Sequence, residues 1–324
     1  METSDMETVR MSLDPIPSEV SALRALLRAR QAAPGPINIV ARRAAMDAFG
    51  DLTPLPAGVS QSEETLNGVP GQTLSPRDSA RAARILYLHG GGYVIGSSRS
   101  HRGLAAQLAL AAGMATTVLD YRLAPEHPAP AAVEDAVAAY DALVAAGVSP
   151  ERIVIAGDSA GGGLALAMTH ALKGQGRPLP AGLFCMSPWA DLAQTGPSYD
   201  TAASVDPMLT KDNLDAFAAH YRAGLAPDNP IISPVHGDFA GFPPLLIHAG
   251  THEILLSDAH AVAAKAALAD VETTLVSAAQ MIHVFHAFFP MLTPARTALA
   301  QAGRWIRARI DGAQPTPSNS TEEM

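Results

Sequence analysis

The chain has 324 residues, 48% of them hydrophobic and 16% charged, which is apolar material enough for one large globular domain or a domain with a lid. A formal charge of −9 argues against a nucleic-acid partner, and a single cysteine, Cys185, excludes an intrachain disulfide. No run of about 20 uncharged apolar residues predicts a membrane span, and Met1 to Arg10 lacks the apolar core of a secretory signal, so the cytoplasm is the expected compartment.

Val20, Leu23, Leu26 and Leu27 recur at helical spacing, predicting a helix over 18–33 that Pro34-Gly35-Pro36 ends; a short helix over 38–48 follows. A buried strand over 84–89 stops at Gly90-Gly91-Gly92. Then come a helix over 103–112, a strand over 116–119, an Ala-rich helix over 131–146, a strand over 152–156 and a helix over 160–173. Leu183 to Met186 reads as a strand, and Cys185 within it as a packing residue. Residues 192–230 break the alternation with turns and a helix over 210–223. A strand over 245–248, a helix over 258–269, a strand over 271–276 and a helix over 296–310 complete the series, before a polar tail that reads as disordered. Strands alternating with helices, several of the strands wholly apolar, predict an α/β fold with a mostly parallel central sheet flanked by helices. The expected division is N-terminal cap helices over 1–50, a core over 51–191 and 231–311, a cap insertion over 192–230 and a disordered tail over 312–324.

Gly157-Asp158-Ser159-Ala160-Gly161 follows an apolar strand directly and opens an Ala-rich helix. That is the strand–turn–helix of a nucleophile elbow, whose tight turn needs small residues around the serine. The helix N-terminus would favour negative charge developing beside Ser159. Upstream, His89-Gly90-Gly91-Gly92-Tyr93 also follows a strand. Its glycines let the backbone approach a substrate oxygen, as in the oxyanion motif of lipases and esterases. No Lys-Ser/Thr follows, which argues against a phosphate loop. His89 reads as structural, because a loop carrying oxyanion donors faces the other side of the reacting carbonyl.

A serine nucleophile needs a base and an acid, and the chain order in this fold is serine, acid, histidine. His283 and His286 follow the last strand. His283 stands in a loop and is preferred, while His286 lies in an apolar run and reads as structural. After strand 245–248, Glu253 and Asp258 both offer a carboxylate. Glu253 lies in the loop and is preferred; Asp258 opens a helix, where an acidic residue needs no catalytic reason. Tyr93, Trp189 and Leu209 are candidate pocket walls, with core packing an equal reading.

Together with Tyr121-Arg122-Leu123-Ala124-Pro125-Glu126-His127-Pro128 and Asp206-Pro207-Met208, these motifs make the chain resemble the bacterial hormone-sensitive-lipase-like esterases from about residue 80 to 290. The resemblance implies an α/β-hydrolase core with a helical cap, a serine carboxylesterase acting on short-to-medium acyl esters, and a Ser159–Glu253–His283 triad. It implies oxyanion donors at Gly90, Gly91 and Ala160, and a scaffold role for the segment 121–128. No cofactor or metal is expected. The expected partner is a small-molecule ester, with a homodimer by analogy. Many members carry aspartate where this chain has Glu253, which keeps Asp258 as a rival. An amide hydrolase on the same triad, or a ligand receptor of the same fold, remains the alternative reading.

Overall fold

The computed structural model describes residues 7–11, 18–30, 38–79 and 83–312. The expected disordered tail lies outside them apart from Gly312. In chain order the elements are β1 (Glu7–Met11), α1 (Ser18–Arg30), α2 (Ile39–Asp51), β2 (Val59–Leu66), β3 (Val69–Pro76), β4 (Arg84–Leu88), α3 (Ser98–Ala112), β5 (Ala115–Leu119), α4 (Ala131–Ala145), β6 (Ile153–Asp158), α5 (Ala160–Gly174), β7 (Gly182–Met186), α6 (Ser198–Thr201), α7 (Lys211–Tyr221), β8 (Leu245–His252), α8 (Leu256–Leu268), β9 (Thr273–Ile282) and α9 (Thr293–Gly312). The nine strands form one sheet in the order β1-β9-β8-β7-β6-β4-β5-β3-β2. All neighbours are parallel except β2–β3 and β3–β5. This is the mostly parallel, helix-flanked sheet that the alternating pattern predicts, in the α/β-hydrolase arrangement that the resemblance implies.

Side chains along the central strands point alternately to two apolar layers. Ile153 and Ile155 of β6 enter one, with α4, α5 and α8; Val154 and Ala156 enter the other, with α1, α3 and α9. Burial on both faces explains why β4, β6 and β7 read as continuous apolar runs. Such a sheet presents the carboxyl ends of its parallel strands as one rim, which is where ligands bind in open α/β folds.

The structure corrects the N-terminal division. Residues 1–50 are not all cap: Glu7–Met11 extends the core sheet as a parallel edge beside β9. Two more strands, β2 and β3, went unread. β2 is polar and mostly exposed, so it shows no apolar alternation. The readable signal was Asn67-Gly68, whose φ values of 47° and 84° make the left-handed two-residue hairpin turn that Asn-Gly favours. The helix expected from 103 begins at Ser98, because Ser97 and Ser100 form a reciprocal capping box.

Candidate active site

The site is built on the strand rim. β6 ends at Asp158, and Ser159 then takes φ 53° and ψ −122°, a sharp reversal before α5. Glycine is required around it. A Cβ at Gly157 would stand 2.4 Å from the Gly161 carbonyl oxygen, and one at Gly161 would stand 2.0 Å from the Leu88 carbonyl oxygen. The turn is held by Ser159 N–H donating to the Met186 carbonyl at 2.8 Å and by its own carbonyl accepting from Trp189 N–H at 2.9 Å.

His283 follows the last residue of β9, and its Nε2 lies 3.0 Å from Ser159 Oγ. Its Nδ1 lies 2.9 Å from Glu253 Oε2, and Glu253 Oε1 accepts the Gly250 N–H at 3.0 Å. All three side chains are buried. Burial alone would lower the pKa of His283, but the hydrogen bond and charge of Glu253 outweigh it and hold the imidazole above its ordinary value of 6.5. The loop behind His283 is pinned where Val284 N–H donates to Ser187 Oγ at 3.1 Å. Asp206, in the Asp-Pro-Met motif, accepts Ile254 N–H at 2.9 Å and so fixes the turn carrying Glu253.

Asp258 stands elsewhere. Its Oδ2 accepts the N–H groups of Ala190 and Asp191 at 2.9 and 2.8 Å and the Tyr199 hydroxyl at 3.1 Å. Burial pushes its carboxyl well above the ordinary carboxylate range. His286 is paired with His248, Nε2 to Nδ1 at 3.1 Å, in the core behind the loop. His89 turns Nδ1 to the Gly90 carbonyl at 2.8 Å and stacks on Tyr121; burial lowers it to about 3. Cys185 is buried and its thiol is pushed up to about 12.

One expectation needs correction. Gly90 is not an open donor: its N–H donates to Asp158 Oδ1 at 3.1 Å. Gly91 and Gly92, with φ of 120° and 63°, line the cavity beside Ser159. Neither N–H has a partner among the described residues. Counting glycines from His89 cannot reveal this, because it is the Asp158 carboxylate on the neighbouring strand that takes the first N–H. Tyr93 and Trp189, left open between pocket wall and core packing, are core residues; Tyr93 stacks on Tyr221 with ring centroids 3.9 Å apart. Leu209 does line the cavity.

Sequence reading also missed the Asp158–His101 pair. Asp158 accepts the Tyr87 hydroxyl at 2.7 Å as well as Gly90 N–H, and its Oδ2 lies 3.4 Å from His101 Nε2. Burial opposes both charges, but their mutual attraction wins, lowering the pKa of Asp158 and raising that of His101. One carboxylate thus ties the glycine turn to the elbow. The cavity over Ser159 is about 370 Å³ and mostly apolar, with walls that include Met46 and Phe49 of α2, Leu104 of α3, Met208 and Leu209, Phe217 of α7, and Phe288. Among the described residues no cluster of three or more His, Cys, Asp or Glu could hold a metal, and no helix is long and apolar enough to cross a membrane.

A family model for the alpha/beta hydrolase fold matches residues 85–287. The crystal structure of an esterase from the bacterial hormone-sensitive lipase family superposes with a TM-score of 0.87 at 41% identity, covering 93% of this chain and all of that one. The chain belongs to the hormone-sensitive-lipase-like esterases of the α/β-hydrolase fold. An acetyl-hydrolase from Streptomyces hygroscopicus is 44% identical over 264 residues, 81% of this chain and 86% of the relative. An esterase from Acinetobacter venetianus is 36% identical over 278 residues, 85% of this chain and 91% of the relative. The crystal structure of EstE5 soaked with p-nitrophenyl butyrate is 38% identical with a TM-score of 0.87, covering 91% of this chain and 99% of its own. Within this esterase family Asp206 and Asp158 acquire a reading the bare motifs did not offer, as the groups that brace the acid turn and the glycine turn.

Proposed function

We propose that this esterase hydrolyses short-to-medium acyl esters through an acyl-enzyme, with Ser159 as nucleophile, His283 as base and Glu253 as the acid that orients it. The observation that carries the reading is the unbroken hydrogen-bond chain Ser159–His283–Glu253 at the floor of an apolar cavity. Ser159 Oγ attacks the acyl carbon while its proton passes to His283 Nε2. The carbonyl oxygen becomes negative against the N–H groups of Gly91, Gly92 and Ala160, the last being the first residue of α5 and without an intrahelical partner. Collapse of the intermediate breaks the ester C–O bond, and His283 returns the proton to the leaving alcohol. Water repeats the sequence on the acyl-enzyme and frees the acid. Glu253 holds the Nδ1–H tautomer and stabilises the imidazolium. The second and third glycines replace the expected first and second as donors, and deleting one such donor typically costs about 10²–10³ in rate. The helices α1 and α2 and the segment 192–230 serve as the cap.

The ester reading is checked by comparing p-nitrophenyl butyrate with N-(4-nitrophenyl)butanamide, followed by a series of longer acyl esters. Turnover of the ester with the anilide far slower, and a decline at long chains, is the expected result. Rapid anilide cleavage would make the protein an amidase, and tight ligand binding without turnover of either would make it a receptor.

The pH dependence follows from His283, which must be neutral at Nε2 to accept the proton. Because its pKa is raised above 6.5, kcat/KM is expected to climb with pH along a limb centred above 6.5. Glu253→Gln removes the two largest raising influences and leaves burial opposed only by the weaker pull of Asp206 and Asp158, so the residual activity of that variant should titrate at lower pH. A limb that stays in place in the variant would disconnect the carboxylate from the base.

A further inference from the structure

Two adjacent arginines on α2 have different surroundings. Arg43 is consumed by the scaffold. It donates to both carboxylate oxygens of Glu126, at 2.9 and 2.7 Å, and to the Val94 and Ala124 carbonyls at 2.8 and 3.0 Å. These bonds fasten α2 to the segment after the glycine turn. Arg42 lies one position away, on the face that also presents Met46, Phe49 and Gly50 to the cavity. Its guanidinium sits over the Phe217 ring, 5.6 Å from the centroid, and its one other contact is a long 3.4 Å bond from Nη2 to Asn213 Oδ1. It has no carboxylate partner among the described residues.

The other charged or titratable groups lining the cavity are matched, Asp158 with His101 and His283 with Glu253. Arg42 is the cation left with open donors on an otherwise apolar wall. Its position relative to the chemistry is fixed by Phe217, whose ring lies 2.6 Å from where a Cβ of Gly92 would stand. The guanidinium is therefore one aromatic ring beyond the glycine turn. A planar fork of donors, half-buried and stacked on an aromatic face, is suited to holding a carboxylate or phosphate oxygen pair.

We propose that Arg42 is an anion subsite of this cavity, so that the preferred ester carries a carboxylate or phosphate group on one side of the scissile bond. This rests on the esterase reading above. The stacked Phe217 keeps the guanidinium extended along the wall, and the apolar surroundings strengthen its pull on an anion relative to open water.

The test is steady-state kinetics on two matched pairs of esters. Mono-4-nitrophenyl glutarate against 4-nitrophenyl pentanoate places the anion on the acyl side. Acetate-free 3-carboxyphenyl butyrate against phenyl butyrate places it on the alcohol side. In one pair, Arg42→Gln is expected to lower the anionic-to-neutral ratio of kcat/KM by about tenfold or more, chiefly through KM. Arg42→Lys should lower it less, because the charge remains and the fork is lost. In the wild type the same ratio should fall as NaCl is raised from about 0.02 to about 0.5 M. A ratio that changes less than threefold in both pairs would make Arg42 only a link between α2 and α7 and overturn the subsite. Should the Gln variant not fold, a wild-type ratio indifferent to salt overturns it equally. Failure of the esterase reading is separate, since it appears as wild-type inertness toward both neutral esters.

Discussion

Ser159→Ala is expected to lower kcat on p-nitrophenyl butyrate by roughly 10⁵–10⁶, leaving only what the glycine turn and the cavity contribute by binding. Among the described residues the Oγ makes a single hydrogen bond, to His283, so its loss should leave the fold intact and the melting temperature nearly unchanged. His283→Ala should be about as damaging. The double variant should be scarcely worse than either single one, because nucleophile and base act as one unit and removing either removes the unit. Rates measured alongside thermal melts separate this from unfolding. Residual turnover above about 1% of wild type, or losses that multiply in the double variant, would mean that the two side chains do not work together.

Glu253→Gln is expected to cost about 10³–10⁴ in kcat with little change in KM. The amide can offer His283 Nδ1 the wrong hydrogen-bond polarity, favouring the tautomer in which Nε2 carries the proton and cannot accept one from Ser159. Asp258→Asn separates the two carboxylates. Asp258 touches neither His283 nor Ser159, and its three donors come from Ala190, Asp191 and Tyr199. Its substitution should lower stability by about 1–3 kcal/mol in a urea titration, through mispaired buried groups, and spare most of kcat. The reverse outcome, with Asp258→Asn inactive and Glu253→Gln active, would sink the assignment.

Much of this was legible because it is local. An apolar strand, a serine among small residues and an Ala-rich helix sit consecutively in the chain, so the elbow at Ser159 could be read without tertiary information. The order of elements gave the sheet, and the loop after β9 gave His283. What escaped depends on neighbours distant in sequence. Gly90 and Gly92 are equivalent as residue types; Asp158, across two paired strands, engages the first and leaves the N–H of the other free. Tyr93 and Trp189 follow motifs that border the cavity, yet packing turns them into the core, while Arg42 and Phe217 reach the cavity from remote helices. β2 was hidden by its polarity, since Gln61, Glu63 and Thr65 form an exposed face that needs no apolar pattern. Glu253 and Asp258 were separated by preference alone until the fold placed one on His283 and the other on the backbone at Ala190.

The backward bend at Ser159, with φ 53° and ψ −122°, also limits which chemistry this lineage can explore. Positive φ is tolerated by an unbranched side chain and opposed by a second heavy atom on Cβ. Threonine, although it carries the same hydroxyl, would bring a methyl group into a turn so close-packed that Gly157 and Gly161 leave no room for a Cβ. Cysteine fits the same torsion. The nucleophile can therefore drift between oxygen and sulfur more easily than between two alcohols, and the choice of reacting atom is governed by backbone shape before reactivity enters.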